Sequence, residues 1–154
     1  MSLIDEKIAL FKAEVGDREL NEEQSKVFNA FTKKKGASTY INVTDMDGKN
    51  VRIKIYSNKV STGSQHILKN HYATNIHWVT AWEILTFYEV VEYGTHYVSN
   101  GYIVYRMVKY CGEVKISTVL KFVEDNGVAV LKSFYSDRGD NKKKALVTGR
   151  FLPM

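Results

Sequence analysis

The sequence predicts an α+β protein: an antiparallel β-sheet, built as a meander, with helices packed on one face and two extra helices at the N-terminus. Apolar residues recur at helical spacing before residue 35, whereas residues 102–135 form three strand-like runs joined by short turns. Asn126-Gly127 between the last two runs is the strongest hairpin signal in the chain. We therefore expect an N-terminal helical segment at 1–35 and an α+β domain at 36–154.

Composition and charge favour a globular domain with a polyanionic partner. The chain has 154 residues, of which 44% are hydrophobic and 25% charged, enough for one domain with a proper core. Residues 1–35 hold seven acidic and seven basic side chains, so the net charge of +5 arises after residue 35, where 15 basic residues exceed 10 acidic ones. Such an excess is compatible with nucleic acid as a partner.

Cysteine usage and hydropathy fit a cytoplasmic protein, and a toxin domain delivered from elsewhere would look the same. Cys111 is the single cysteine, so an internal disulfide is excluded. No apolar run reaches the length of a membrane span, and the charged start Met1–Lys7 lacks the features of a secretory signal. We therefore expect no membrane association.

The two N-terminal helices each carry local start or stop signals. The first has apolar residues at helical spacing and ends at a glycine. These residues are Ile4, Ile8, Phe11, Val15 and Gly16. Asn21 followed three residues later by Gln24 matches a capping box for the second helix.

Two strands are expected next, at Thr39–Val43 and Val51–Tyr56, and the second alternates apolar and polar residues. The segment Asp45–Asn50 between them predicts a hairpin loop. Its aspartates also suggest an EF-hand calcium site, but the glycine falls too early and the later ligands are missing. We therefore expect no metal here.

The chemically richest stretch is a short helix within Gly63–Tyr72, whose first turn can be capped by small polar residues. These are Ser61, Thr62 and Ser64. On a helix, His66 and Lys69 lie about 60° apart and share a face, whereas His71 lies nearer the buried side. A histidine that exchanges protons near neutral pH, beside a lysine that stabilises negative charge, suits chemistry at a phosphodiester. A capped surface helix with ordinary polar residues is the alternative.

A longer helix from Thr80 to Val91 is expected next, because Thr80 and Glu83 match a capping box. Three strands then follow, at Tyr102–Tyr110, Val114–Val123 and Val128–Tyr135. Their alternation puts six residues at polar or cleft-facing positions: Tyr105, Lys109, Lys115, Ser117, Lys121 and Lys132. A charged loop from Ser136 leads into a last edge strand or tail at Ala145–Phe151.

The order of these elements resembles the barnase–EndoU–colicin–RelE class of small ribonucleases, as found in phage and mobile-element proteins. The resemblance is carried by His66–His71, the Trp82–Ile84 helix and Leu131–Ser136, and it covers roughly residues 40–138. It implies an α+β, toxin-like ribonuclease that needs neither metal nor cofactor. In this class the ribose 2′-hydroxyl attacks the adjacent phosphate.

The resemblance also implies roles for individual residues. His66 or His71 becomes the acid/base group, and Lys69 becomes the phosphate clamp. Ser133 or Tyr135, on the last strand, would hydrogen-bond the phosphate. Because a regular helix places the two histidines on different sides, both can face one ligand only if the helix frays or ends near residue 70.

Three further residues are candidates for substrate binding. His96 could be the second proton-transfer group that EndoU-like members use. Arg106 and Arg138 are candidates because a guanidinium group matches the geometry of phosphate. The glutamate that serves barnase-like members as general base has no clear counterpart, since Glu83 and Glu89 lie on a packed helix. A degenerate site would leave a binding domain without activity.

Two functions other than an RNA-cleaving enzyme remain open. A protein-interaction module, such as an immunity or accessory factor that meets a protein partner or inhibitor, fits the ten tyrosines and the neutral helical start. An RNA-binding domain without chemistry would show salt-sensitive binding and no cleavage. Metal-dependent hydrolysis and a serine hydrolase are unsupported, because no H-E-x-x-H, C-x-x-C or G-x-S-x-G motif occurs.

Overall fold

The computed structural model describes residues 2–33, 38–75, 77–111 and 114–137. In chain order the elements are α1 (Leu3–Val15), α2 (Glu22–Thr32), β1 (Thr39–Thr44), β2 (Asn50–Ile55), α3 (Ser64–His71), α4 (Ala81–Leu85), α5 (Glu89–Tyr93), β3 (Thr95–Ser99), β4 (Tyr102–Cys111), β5 (Val114–Asp125) and β6 (Val128–Asp137). The strands form one sheet in the order β1-β2-β6-β5-β4-β3. All neighbours are antiparallel except β2 and β6, which are parallel. The α+β prediction is confirmed. The expected edge strand at 145–151 lies outside the described residues.

The two N-terminal helices form as their local signals predict. Gly16 ends α1 with a φ of 63°, and Asn21 and Gln24 form the capping box of α2, with the Gln24 N–H donating to Asn21 Oδ1 at 2.8 Å. Phe11 of α1 and Phe31 of α2 are buried in the same hydrophobic core as the sheet. The N-terminal segment therefore contributes to the core that supports the sheet.

The prediction of a single long helix from Thr80 to Val91 is wrong in one respect, because the segment forms two short helices. The capping box at Thr80 and Glu83 starts α4 as predicted. The Thr86 hydroxyl then donates to the Trp82 carbonyl at 2.9 Å, and the chain crosses to α5 through hydrogen bonds of three-residue spacing. Local hydroxyl-to-backbone bonding thus divides the helix.

The sequence pattern also missed β3, which forms one edge of the sheet. Its side chains are almost all exposed, so no apolar alternation marks it. The strand is instead defined by its antiparallel pairing with β4 across Asn100 and Gly101, whose φ angles are 52° and 82°. Two successive positive φ angles are typical of a type I′ hairpin.

The sheet has two different faces. The helices pack on the apolar face, which carries Ile53, Leu120, Phe122, Leu131 and Phe134. We call the other side the open face; it carries polar and aromatic side chains including Tyr97, Tyr102, Arg106, Lys121, Ser133 and Tyr135. No helix within the described ranges is long and apolar enough to cross a membrane.

A β-bulge in β6 changes which residues reach the open face. Lys121 of β5 is opposite Ser133, and Phe122 is opposite Leu131, so Lys132 is the extra residue of the bulge. Lys132 therefore lies next to Ser133 on the open face of the sheet, where Lys121 also lies. The regular alternation of strand residues resumes after the bulge.

Candidate functional site

The start of α3 is fixed by backbone geometry rather than by a side-chain cap, which corrects the expectation for residues 61–64. Gly63 is the N-cap, with a φ of 78° and no side-chain capping bond. The Thr62 hydroxyl instead donates to the Leu131 carbonyl of β6 at 3.1 Å. Ser64 Oγ is buried and has no hydrogen-bond partner within the described part of the chain. The start of α3 is thereby tied to β6.

The end of α3 brings the two histidines together. The Tyr72 N–H donates to the carbonyl of Ile67, five residues back, at 3.0 Å, so the last turn is wider than in a regular α-helix. In a regular helix His66 and His71 would lie about 140° apart, and a wider turn reduces that angle. The two Nε2 atoms lie 3.2 and 3.3 Å from Ser133 Oγ, and the ring centroids are 5.5 Å apart. Both rings can therefore face one ligand.

Helix α1 braces the chain just after His71. Lys7 Nζ donates to the carbonyl of Tyr72, and Glu14 accepts bonds from the Tyr72 hydroxyl at 2.8 Å and from the Ala81 N–H at 3.0 Å. Burial, followed by the Glu14 carboxylate, raises the pKa of Tyr72. The N-terminal segment therefore takes part in placing His71.

A cleft of about 570 Å³ opens beside these histidines on the open face. It is lined by His66, His71, His77, Tyr102, Arg106, Lys121, Lys132, Ser133, Tyr135 and Asp137. Five of these residues were expected at the site: His66, His71, Arg106, Ser133 and Tyr135. Arg138, another candidate from the sequence, lies outside the described residues.

The structure does not bring Lys69 or His96 to the cleft. Lys69 is exposed on α3 and is not among the lining residues. His96 pairs with Tyr105, whereas its neighbour Thr95 pairs with Arg106, so His96 lies on the opposite face of the sheet from Arg106. The phosphate-clamp and second-histidine roles therefore have no geometric support in these two side chains.

His96 belongs instead to a cluster at the β1–β2 hairpin. Asp45, Asp47 and His96 each place one potential metal ligand within 4.8 Å of the others. The Asp45 carboxylate already accepts bonds from two backbone N–H groups and from the Tyr105 hydroxyl, and His96 Nε2 lies 2.7 Å from Asp47 Oδ2. These hydrogen bonds therefore account for the close approach of the three side chains, and the cluster joins the hairpin to β3 and β4.

The sequence pattern missed His77, Tyr102 and Asp137 as lining residues. His77 is in a loop with a φ of 53°, a left-handed conformation that sequence periodicity does not reveal. Of the six meander residues expected at polar positions, Lys121 and Lys132 do line the cleft. The expectation of a polar or cleft-facing position is wrong for Tyr105, which is buried in the core on the other face of the sheet.

The aromatic and cationic residues of the cleft contact one another and nearby hydroxyl groups, and the Asp137 carboxylate also lines the cleft. The ring of Tyr135 lies 5.4 Å from that of His71 and 5.6 Å from that of His77, measured between centroids, and Lys121 Nζ lies 5.4 Å from the Tyr135 centroid. Arg106 donates to the hydroxyl of Ser117 at 2.7 Å. Arg106, Lys121 and Lys132 outnumber the single carboxylate among the described lining residues, so the cleft keeps a net positive charge that suits an anion.

Asn70 fixes the tautomer of His66. Its amide nitrogen lies 3.0 Å from the His66 carbonyl oxygen and 3.1 Å from His66 Nδ1. A carbonyl only accepts, so the amide NH₂ must face it, and the second N–H then donates to Nδ1. Neutral His66 consequently carries its proton on Nε2 and donates to Ser133. The Ser133 hydroxyl can then donate to Nε2 of His71, giving a directional chain from Asn70 to His71.

The two histidines of this hydrogen-bonded chain, His66 and His71, favour the neutral form. Partial burial, followed by the charge of Lys132, lowers the pKa of His66. Burial, followed by the charge of His66, lowers the pKa of His71 to about 4, and the backbone of His77 opposes this shift. No described group meets the buried Nδ1 of His71 with hydrogen-bond geometry. At neutral pH His71 therefore presents an unprotonated Nε2 toward Ser133.

We expect the protein to lose stability as the pH falls from about 6.5 to about 4, because His71 binds a proton in the unfolded chain before it does so in the folded one. After allowance for its partial exposure, His71 should account for about 1–2 kcal/mol of this loss. Urea unfolding at pH 4.5 and pH 7 measures it. His71→Gln should lose less stability than the wild type over the same interval, and an equal loss would contradict the assignment.

Comparison with models of known protein families, with curated proteins and with solved structures finds no match to this chain. Its function is therefore inferred from the residues of the cleft.

Proposed function

We propose that the protein is a metal-independent endoribonuclease that cleaves single-stranded RNA through attack of a ribose 2′-hydroxyl on the adjacent phosphate. The observation that carries this proposal is the meeting of two neutral imidazoles at one serine hydroxyl inside a cationic cleft. His66, His71 and Ser133 supply that arrangement. It provides a proton acceptor and a proton donor within reach of one bound group, as general acid–base catalysis requires.

The proton acceptor of the proposed reaction is His71. Its Nε2 is unprotonated at neutral pH and takes the proton of the 2′-hydroxyl as the 2′-oxygen forms its bond to phosphorus. The bond from phosphorus to the 5′-oxygen of the next nucleotide then breaks. The products are a 2′,3′-cyclic phosphate and a free 5′-hydroxyl.

The proton donor is His66, which in this proposal is protonated on both ring nitrogens when the substrate phosphate is bound. The Asn70 N–H that faces Nδ1 in the free protein must then turn away. An anion within a few ångströms favours the charged form of an imidazole and so opposes the burial that lowers the pKa of His66. His66 gives the proton of its Nε2 to the departing 5′-oxygen. One proton enters His71 and one leaves His66, so the charge balances across the step.

The cations of the cleft stabilise the phosphorane. Arg106, Lys121 and Lys132 all line the cleft, and the negative charge on the phosphate oxygens increases as the 2′-oxygen attacks. The hydroxyls of Ser117 and Tyr97 hold the Arg106 guanidinium in place. Tyr135 lines the cleft beside His71, so its ring is a contact for a base beside the reacting phosphate.

The test is cleavage of a single-stranded RNA oligonucleotide in the presence of EDTA. We expect products that end in a 2′,3′-cyclic phosphate and a 5′-hydroxyl, because the 2′-oxygen is the nucleophile. A single 2′-deoxy nucleotide at the cleaved position should block cleavage there and leave other positions sensitive. Intact RNA after incubation with folded protein, or equal cleavage at the deoxy position, would overturn the proposal.

RNA binding without chemistry is the second candidate, and the open face favours it. Tyr97 and Tyr102 lie on this face near Arg106 and Lys121, an arrangement of aromatic and cationic groups suited to bases and phosphates. Salt-sensitive binding of the same oligonucleotide with no cleavage would support this function over the enzymatic one.

A further inference from the structure

A second group of aromatic and cationic residues lies on the open face at β1 and β2, apart from the cleft. We call it the β1–β2 patch; its members are Tyr40, Arg52, Lys54, Tyr56 and Lys59. Arg52 Cζ lies 4.6 Å from the ring centroid of Tyr40, and the Nζ atoms of Lys54 and Lys59 lie 4.7 and 4.8 Å from that of Tyr56. Each ring therefore has at least one cation over it.

The core of the protein does not explain this patch. The buried residues of β2 are Val51, Ile53 and Ile55, which point to the opposite side of the strand from Arg52 and Lys54. Arg52 and Lys59 are exposed. Within the described residues, the three cations of the patch form no ion pair with a carboxylate. Their charge is therefore directed to solvent or to a ligand.

The patch is continuous with the cleft. Lys54 pairs with Val130 in the parallel ladder between β2 and β6, so the two side chains lie on the same face. Lys132, which lines the cleft, follows Val130 by two residues on β6. Strand spacing and residue rise put the backbone positions of Lys54 and Lys132 on the order of 8 Å apart. A strand of nucleic acid that leaves the cleft over β6 therefore reaches the patch within a short length.

We propose that the β1–β2 patch binds the part of a single-stranded RNA that flanks the cleft, with bases stacked on Tyr40 and Tyr56. The phosphates of that part are then held by Arg52, Lys54 and Lys59. The positive charge without carboxylate partners matches a phosphate backbone, and the exposed ring of Tyr40 and the half-buried ring of Tyr56 match unpaired bases. This inference rests on RNA as the ligand of the proposed function, and it assigns a binding site outside the reacting cleft.

The test compares binding of two RNAs that carry 2′-O-methyl groups at every position and so cannot be cleaved by the proposed route. One is a trinucleotide that spans the cleft alone, and the other is a 12-nucleotide strand. The double variant Tyr40→Ala/Tyr56→Ala should weaken binding of the longer strand by about 10–100-fold and leave the trinucleotide within about twofold. Tyr40→Phe/Tyr56→Phe, which keeps both rings, should bind like the wild type.

Salt dependence tests the cations separately. Arg52→Gln, Lys54→Gln and Lys59→Gln together should reduce the slope of log affinity against log salt by about 2 for the longer strand, since each lost phosphate contact accounts for about 0.7. Tyr93→Ala on α5 and Lys26→Gln on α2 are matched exposed controls away from the patch and should change neither result.

The outcomes separate this inference from the proposed function. If the wild type cleaves RNA but the patch variants bind the longer strand as well as the wild type, the patch proposal is wrong and the ribonuclease proposal stands. If the wild type cleaves no RNA, and the patch variants lose affinity for the longer strand, the ribonuclease proposal is wrong and the patch proposal stands. Thermal unfolding of each variant shows whether a loss of binding arises from unfolding, and the salt dependence of the variant that lacks the three cations keeps the test decisive if the Ala variant unfolds.

Discussion

Replacement of His71 by alanine should lower the rate of RNA cleavage by about 10²–10⁴-fold, and replacement of His66 should do the same. His71→Ala removes the unprotonated Nε2 that accepts the 2′-hydroxyl proton, and His66→Ala removes the donor to the 5′-oxygen. The two rings meet at one Ser133 hydroxyl, so they act as a unit. We therefore expect the double variant to be only slightly slower than either single variant. Single-turnover cleavage of a fluorescent RNA measures all three rates.

The same measurement separates a chemical role from a structural one. If the histidines transfer protons, RNA affinity should remain within a few-fold in each variant while the cleavage rate falls. His96→Ala tests the alternative assignment suggested by the sequence, because His96 lies on the other face of the sheet. We expect its rate to stay within about twofold of the wild type. A large loss in His96→Ala together with full activity in His71→Ala would refute the cleft as the catalytic site.

The fold was predictable where a local signal decides the structure. The capping boxes at Asn21 and Thr80 and the hairpin at Asn126-Gly127 all form, because each depends on contacts between residues three or fewer positions apart. The edge strand β3 was not predictable in this way. Its side chains are mostly exposed, so only pairing with β4 specifies it.

The candidate site was predictable in its residue types and only partly in its geometry. The helix containing His66 and His71 was expected, but their convergence depends on the five-residue hydrogen bond at Tyr72. Helical spacing gives the angle between His66 and Lys69 but not which side of the helix faces β6, and Lys69 consequently lies outside the cleft. Ser133 and Tyr135 share the open face with Lys132 because of a bulge, which strand alternation cannot predict.

The position of the whole site depends on Gly63, and Gly63→Ala should lower the free energy of unfolding by about 3–5 kcal/mol. Gly63 has a φ of 78° and a ψ of −146°, a region that is essentially limited to glycine. A Cβ atom there would lie 2.4 Å from the Tyr56 carbonyl oxygen and 3.1 Å from the Tyr56 nitrogen. That carbonyl accepts the Ser64 N–H at 2.9 Å, so relief of the clash breaks the bond that holds the start of α3.

Gly48→Ala is the matched control for this substitution. Gly48 also has a positive φ, of 81°, but a Cβ atom there would meet nothing within 4 Å. Backbone strain alone should then cost about 1–2 kcal/mol. Chemical denaturation of the two variants measures the difference, and equal losses would show that contact with Tyr56 is unimportant. Where Gly63→Ala remains folded, we also expect slower RNA cleavage, because a displaced α3 moves His66 and His71 away from Ser133 while Gly48→Ala leaves them in place.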